Sequence, residues 1–289
     1  CHYLRPLVPP VVHGKKWEEG DTEKMGNDMA YWAFEPGAKW HGFDGYAEGQ
    51  YFIDPMKLQF VTCGIKEDGS YDDFGIPGNI LANFLRDNGI IPEKCDLNDI
   101  LFLPTPGCDM TMYDDLVAKF IKFEKLVDED APLEQVLPNI YYAHEDVYAG
   151  WTIRQLCQYM HDFYKGHATS TIMKKLFLKK YMPEYVMNPH DANMELIGRH
   201  GELVDLEEIE GRVALEGALP YPPGLLCIQP GERWAPTVTK YFQILLDGIN
   251  KMPGFEPEIQ GVYIEEGEDG KKHAFGYVLK KEYDPAFKK

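Results

Sequence analysis

Between residues 51 and 130 the apolar positions switch twice from the spacing of a strand to the spacing of a helix. The run Leu58-Gln59-Phe60-Val61-Thr62 is rich in β-branched and aromatic residues, which predicts a strand. A helix should follow and end at Gly89, because the next apolar residues recur three and four positions apart: Ile76, Ile80, Leu81, Phe84 and Leu85. A second strand is predicted at Ile100-Leu101-Phe102-Leu103. A second helix should carry its apolar stripe at Leu116, Phe120, Phe123 and Val127. This order predicts a compact α/β layer.

In the rest of the chain the predicted helices and strands are less clearly separated. Thr152 should cap a helix that begins at Ile153, and another helix is predicted from Tyr241 to Ile249. Leu225-Leu226-Cys227-Ile228 has the pattern of a buried strand, and residues 261–278 that of a closing hairpin. We therefore expect three parts, which are an irregular N-terminal segment at 1–35, a small α/β domain at 36–135 and an α+β C-terminal domain at 136–289.

Charge and cysteine content narrow the classes of partner. The 289 residues include 29 basic and 47 acidic side chains, for a net charge of −18, which disfavours binding to nucleic acid. No run approaches the ~18 apolar residues of a membrane span, so we expect no membrane partner. The six cysteines are scattered without a CxxC pair, which predicts no zinc site and favours a reducing, cytoplasmic location. No signal-peptide pattern follows Cys1, and we expect the chain to begin inside a longer product or after processing.

One proline-rich phrase is unusual. In Pro220-Tyr221-Pro222-Pro223-Gly224 three prolines fix φ and remove three backbone donors around a tyrosine. By itself the phrase is typical of a rigid turn that leads into a strand. Pro230-Gly231-Glu232 follows shortly after it.

Together these phrases resemble the C-terminal domain of the bacterial inducible ornithine, lysine and arginine decarboxylases. Further phrases agree with that family in the same order, and they include Trp40-His41-Gly42-Phe43, Asp54-Pro55-Met56-Lys57, Phe74-Gly75-Ile76-Pro77, Asn88-Gly89-Ile90-Ile91-Pro92-Glu93-Lys94, Met160-His161-Asp162-Phe163 and Glu210-Gly211-Arg212. Within that family, the sequences of these phrases are most similar to those of the ornithine decarboxylases. The resemblance implies an α/β (α+β) fold, in which the small domain of an aspartate-aminotransferase-type (fold type I) enzyme precedes an α+β C-terminal domain.

The resemblance also implies pyridoxal 5'-phosphate as cofactor, an electron sink for the carbanion left when CO₂ departs. In the family a lysine in a Ser-x-His-Lys phrase holds this cofactor as a Schiff base. None of the nine histidines of this chain is followed by lysine. We therefore expect no catalytic, cofactor-binding or metal-binding residue in the chain, and no activity from it alone. The cofactor-bearing region should lie upstream of Cys1.

Two residues are candidates for substrate binding. The resemblance places Glu93 where a carboxylate meets the distal ammonium of a bound diamino acid, and a desolvated cation does need such a partner. The alternative is a surface glutamate paired with Lys94 or its neighbours. The resemblance places Tyr221 near the substrate entrance, and the alternative is packing of the C-terminal domain.

The other polar candidates have ordinary structural explanations. His41, among aromatic residues, and His161, on the predicted helix from Ile153, are expected to be structural. Glu207, Glu208 and Glu210 are expected to form a solvated face.

Two functions remain open at this point. The chain is either part of a carboxy-lyase that converts ornithine to putrescine and CO₂, or a non-catalytic assembly or regulatory module derived from the same family. The first implies as partners a diamino acid, the missing cofactor-bearing region and further copies in a homo-oligomer of stacked dimers.

Overall fold

Four antiparallel strands form the sheet on which the first half of the chain is built. A computed structural model describes residues 1–221 and 224–287, and it divides into two units, Cys1–Asp162 and Phe163–Lys289. In the first unit the strand order is β1 (Leu4–Pro6), β4 (Leu58–Thr62), β6 (Asp99–Phe102) and β5 (Lys94–Cys95). Leu58 pairs with Phe102, and Lys94 pairs with Leu101. Both predicted strands of this region are confirmed.

Helices α2 (Gly78–Asp87) and α3 (Met110–Asp128) are the predicted pair of helices. The apolar residues of α2 are almost fully buried, and the ring of Phe84 lies 5.0 Å from that of Phe123 on α3. Phe120 of α3 contacts Phe60 and Phe102 of the sheet, with ring centroids 5.7 and 5.8 Å apart. Gly89 adopts the positive φ (+84°) that ends α2, as its position predicts.

The remaining elements of the first unit are short, apart from one helix. They are β2 (Val11–Val12), β3 (Lys15–Lys16), α1 (Thr22–Met25), α4 (Leu133–Val136), α5 (Pro138–Ala143), α6 (Glu145–Tyr148) and α7 (Ile153–Gly166). Thr152 and Gln155 form a capping box at the start of α7, since each side chain accepts the other residue's backbone N–H. The predicted cap is therefore confirmed.

The second unit packs helix α10 (Pro236–Lys251) against a three-stranded sheet. The strand order is β12 (Tyr263–Glu266), β13 (Lys272–Leu279) and β8 (Gly201–Asp205), and β12 with β13 is the predicted hairpin. Trp234 and Phe242 lie in the core of this unit. The other elements are α8 (Thr169–Leu176), β7 (Glu184–Tyr185), α9 (Pro189–Ile197), β9 (Leu219–Tyr221), β10 (Glu232–Arg233) and β11 (Glu258–Gln260).

Two predictions of secondary structure differ from the structure. The predicted strand at Leu225–Ile228 is wrong, because Leu225 and Leu226 are exposed and only Ile228 forms a bridge, with Ala218. Within residues 1–35, Leu4–Pro6 is not irregular but pairs with β4 as the outer strand of the sheet. The predicted division at 135/136 falls inside the first unit.

Candidate functional site

Glu93 lies at the start of the β5–β6 hairpin, on the outer edge of the first sheet. Its backbone N–H donates to the Leu101 carbonyl at 2.9 Å, so the hairpin fixes the position of its backbone. The side chain is exposed, and among the described residues it makes no hydrogen bond or ion pair. Its exposed position agrees with the alternative of a surface glutamate, but no pair of this carboxylate with Lys94 is found among the described residues. Ile91, two residues earlier in the sequence, is also exposed, at 82%.

Tyr221 ends strand β9 in the second unit. It pairs with Glu258 of β11, and its side chain is 40% exposed. A glycine is required three residues later, because Gly224 has φ +76° and a Cβ there would lie 2.8 Å from the Tyr221 ring. The Gly224 N–H donates to the Pro220 carbonyl at 2.9 Å. Pro222 and Pro223 of the same phrase lie outside the described residues.

His41 is structural, as expected. Its ring stacks on Phe34 at 3.8 Å, its Nε2 lies 2.9 Å from the Glu35 carbonyl, and its Nδ1 accepts the Phe43 N–H at 2.9 Å. Because Nδ1 is an acceptor, the proton must be on Nε2. Burial lowers the pKa of His41, so the neutral form is favoured. Trp40 is buried beside it, while Phe43 is exposed.

His161 is also structural, and it supports a loop that the sequence did not connect with it. The imidazole is 1% exposed and lies 2.9 Å from the Asp72 carbonyl. A Cβ at Gly75 would overlap the His161 ring, and one at Gly64, which has φ +115°, would lie 3.0 Å from it. The phrase Phe74-Gly75 therefore has a packing reason, since only glycine leaves room for the histidine.

The acidic residues at 207–210 lie at the surface of the second unit. Glu207, Glu208 and Glu210 are exposed, in agreement with the prediction of a solvated face. His2, Glu124 and Asp128 bring three potential metal ligands within 4.8 Å of one another. There the His2 ring lies between the two carboxylates, with one nitrogen at Glu124 and the other 3.6 Å from Asp128, a contact that the sequence did not indicate because His2 is more than a hundred positions from both.

The residues present do not fit the cofactor that the resemblance implies. A lysine that forms an imine works in a desolvated pocket, but every lysine in residues 1–221 and 224–287 is at least partly exposed. No histidine of the chain is followed by lysine. Glu93 and Tyr221 lie in separate units, and their assignment to a substrate pocket stays a prediction.

Two family models match the chain. The model described as "Orn/Lys/Arg decarboxylase, major domain" matches residues 1–112, and "Orn/Lys/Arg decarboxylase, C-terminal domain" matches residues 170–280. The chain belongs to the Orn/Lys/Arg decarboxylase family. The predicted resemblance is confirmed, and the family uses pyridoxal 5'-phosphate.

Relatives within this family cover nearly the whole chain. The chain is 56% identical to the inducible ornithine decarboxylase of Lactobacillus sp. (strain 30a), over 95% of this chain and 38% of that protein. It is 53% identical to the inducible ornithine decarboxylase of Escherichia coli (strain K12), over 97% of this chain and 38% of that protein. The chain therefore spans about two fifths of the length of these relatives.

Solved structures confirm the predicted fold class. The constitutive lysine decarboxylase of E. coli superimposes with a TM-score of 0.81 at 31% identity, over 96% of this chain and 37% of that chain. Lysine decarboxylase A from Pseudomonas aeruginosa gives a TM-score of 0.81 at 32% identity, over 91% and 35%. This Orn/Lys/Arg decarboxylase chain is thus a mixed α/β segment of a fold type I enzyme. Among the described helices, none is both long and apolar enough to cross a membrane.

Proposed function

We propose that the chain is the substrate-pocket and subunit-contact part of an amino-acid decarboxylase that converts ornithine to putrescine and CO₂. The observation that carries the proposal is the gap in identity between two groups of relatives. In sequence alignments four ornithine decarboxylases are 50–56% identical to the chain, whereas four lysine decarboxylases are 32–33% identical. A difference this large favours ornithine over lysine as the substrate of the complete protein.

Glu93 is proposed to bind the distal ammonium of the substrate. Its carboxylate is exposed and has no partner among the described residues, so it is available to a ligand. An ammonium buried in a pocket needs a charged acceptor, because its loss of hydration is otherwise uncompensated. Tyr221, half-exposed above Gly224, is proposed to line the entrance of the pocket.

No step at the reacting carbon is assigned to this chain. The Schiff-base lysine and the rest of the cofactor site are proposed to lie in the part of the relatives' length that the chain does not span. The complete protein is further proposed to act in the cytoplasm as a homo-oligomer.

Decarboxylation assays on the chain alone and on the complete protein test this proposal. The chain alone should release no CO₂ from ornithine, and the complete protein should release it from ornithine faster than from lysine or arginine. Activity of the chain alone would contradict the proposed division of roles. A complete protein that assembles but decarboxylates none of the three would favour the non-catalytic module.

A Glu93→Gln variant of the complete protein tests the pocket. Loss of a charge-assisted contact worth roughly 1.5–3 kcal/mol should lower kcat/KM for ornithine about 10- to 100-fold, chiefly through KM. Glu129→Gln is the matched control, because Glu129 is 60% exposed and pairs with Lys125 at the surface of α3. Equal kinetics for Glu93→Gln and wild type would refute the assignment of Glu93.

A further inference from the structure

Residues 163–183 of the second unit carry five lysines and no acidic residue, although the whole chain has a net charge of −18. Four of these lysines form adjacent pairs, at 174–175 and at 179–180, and none of the four makes an ion pair among the described residues. Large apolar side chains lie between and beside the pairs and are about half exposed. The four lysines and these apolar residues are together called the basic patch, and the apolar residues are Phe177, Leu178 and Met182.

The basic patch is held in place by the core of the unit. Leu176, between the two pairs of lysines, is 4% exposed and packs in the same core as Trp234. The ammonium groups of Lys175 and Lys180 lie 5.6 and 5.4 Å from the centre of the Tyr181 ring, so cation–π attraction holds both charges near one side chain. A surface that is already ordered loses less conformational entropy on binding than a flexible one.

A surface of the opposite charge lies on the same unit. Glu207, Glu208 and Glu210 are exposed, and none of them makes an ion pair among the described residues. These three carboxylates are called the acidic strip. Leu206 and Ile209, which alternate with them, are fully buried in the core of the unit, so the acidic strip also has an anchored backbone.

We propose that the basic patch binds the acidic strip of a second copy of this chain. The contact would pair ammonium groups with carboxylates and would remove the exposed apolar side chains of the patch from water. Because two different surfaces meet, the contact is heterologous and can repeat from copy to copy. The inference rests on the proposed function only in that it assigns the surfaces of one contact in the proposed homo-oligomer.

The composition of the basic patch favours a protein partner over other anionic partners. Nucleic acid would neutralise the lysines, but its phosphate backbone would leave Phe177, Leu178 and Met182 in water. An anionic membrane would attract the patch and repel the rest of a chain with a net charge of −18. Two copies also repel each other, but that repulsion is screened beyond about 8 Å at physiological ionic strength, whereas the paired groups are in direct contact.

Zero-length cross-linking of the complete protein tests the contact directly. A carbodiimide joins a lysine to a carboxylate only where the two groups touch. In an assembly formed from equal amounts of ¹⁴N- and ¹⁵N-labelled copies, links between residues 174–180 and residues 207–210 should join peptides of different isotope. If no such link forms in the assembled protein, or if all links join peptides of the same isotope, the proposal is wrong.

Charge reversal tests the same contact by sedimentation velocity. Lys179→Glu/Lys180→Glu in the complete protein should weaken self-association at least ~10-fold, because like charges then face each other. Glu207→Lys/Glu208→Lys should weaken it similarly, and all four substitutions together should return it to near the wild-type value. A fourfold variant that associates no better than either double variant would contradict the pairing.

Lys271→Glu/Lys281→Glu is the matched control, because it changes the net charge equally at exposed lysines outside the basic patch. If this control weakens association as much as Lys179→Glu/Lys180→Glu does, overall charge and not the patch is responsible, and the proposal is overturned. It is also overturned if wild type floats with vesicles of phosphatidylglycerol and phosphatidylcholine, the patch variant does not, and no links between copies form. None of these measurements involves decarboxylation, so a negative result removes this contact and leaves the proposed substrate and pocket untouched.

Discussion

Replacing Asp284 by asparagine should destabilise the second unit by about 2–4 kcal/mol. The Asp284 side chain is fully buried and accepts two hydrogen bonds from the Arg233 guanidinium, at 2.9 and 3.2 Å. Breaking a buried ion pair on one side typically costs about 3–5 kcal/mol, because the other charge loses its compensation. The loss is smaller here, since Arg233 also donates to the Gly211 carbonyl and to Glu184 and asparagine keeps one acceptor oxygen.

Glu184→Gln is the matched control, because it removes a second carboxylate from the same guanidinium. The Glu184 side chain is 71% exposed, and its contact with Arg233 is 3.1 Å. A solvent-exposed pair contributes about 0–1 kcal/mol. The comparison therefore isolates burial as the variable, with the arginine unchanged.

Urea unfolding monitored by ¹⁹F NMR on fluorotryptophan-labelled protein measures the effect. Trp234 is the one tryptophan in residues 163–289, and its side chain is 2% exposed in the core of that unit. Its resonance, assigned with Trp234→Phe, should show a lower unfolding midpoint for Asp284→Asn and an almost unchanged one for Glu184→Gln. Equal midpoints for the two variants would refute the reasoning that burial makes this pair strong.

The Asp284 carboxylate should also affect how the stability of the second unit falls at low pH. Desolvation opposes ionisation of Asp284, but hydrogen bonds from Arg233 and the Ala286 N–H, together with arginine charge, outweigh it and lower the pKa. A lowered pKa contributes stability above the ordinary value of 3.8 that is lost as the pH falls below it. Wild type should therefore lose its advantage over Asp284→Asn in strong acid, and a constant difference down to about pH 2 would contradict this.

Three further predictions concern single side chains. Thr239→Val should raise the free energy of unfolding by about 0.5–1 kcal/mol, because the Thr239 hydroxyl is buried without a hydrogen-bond partner among the described residues. Urea unfolding tests this, with Thr239→Ser as the variant that keeps the hydroxyl. Gly75→Ala should destabilise the first unit by more than ~1 kcal/mol by displacing His161, whereas Gly26→Ala, with open space around it, should be nearly neutral in the same assay. His41 should remain neutral with its proton on Nε2 near pH 7, and imidazole ¹⁵N shifts typical of a cation would contradict that assignment.

The predicted elements that the structure confirms have a strong local period. Helices α2, α3 and α10 bury one stripe each, so their apolar spacing alone identifies them. The strand prediction at Leu225–Ile228 is wrong because an apolar run forms a strand only if a neighbouring strand is available. Here only a single bridge to Ala218 forms. Strand β1 was missed because three residues ending in proline carry no period, and their partner β4 lies more than fifty positions away.

The candidate site residues were predicted from the family resemblance more than from a physical pattern in the sequence. Glu93 is one exposed carboxylate among many, and only the family phrase distinguished it before the structure showed it to be without a partner.

The pairing of Leu4–Pro6 with β4 has a practical consequence for anyone who trims this chain. A version that begins at residue 36 would leave one side of β4 with unbonded amides and carbonyls on Leu58–Thr62. An unpaired strand edge of this kind can form hydrogen bonds with strands of other molecules, and aggregation is the common result. In the 289-residue chain this side of β4 is paired with β1, a three-residue strand that ends in proline, which has no N–H to donate to a further strand. Residues 4–6 thus cover that side of β4 against pairing with other strands.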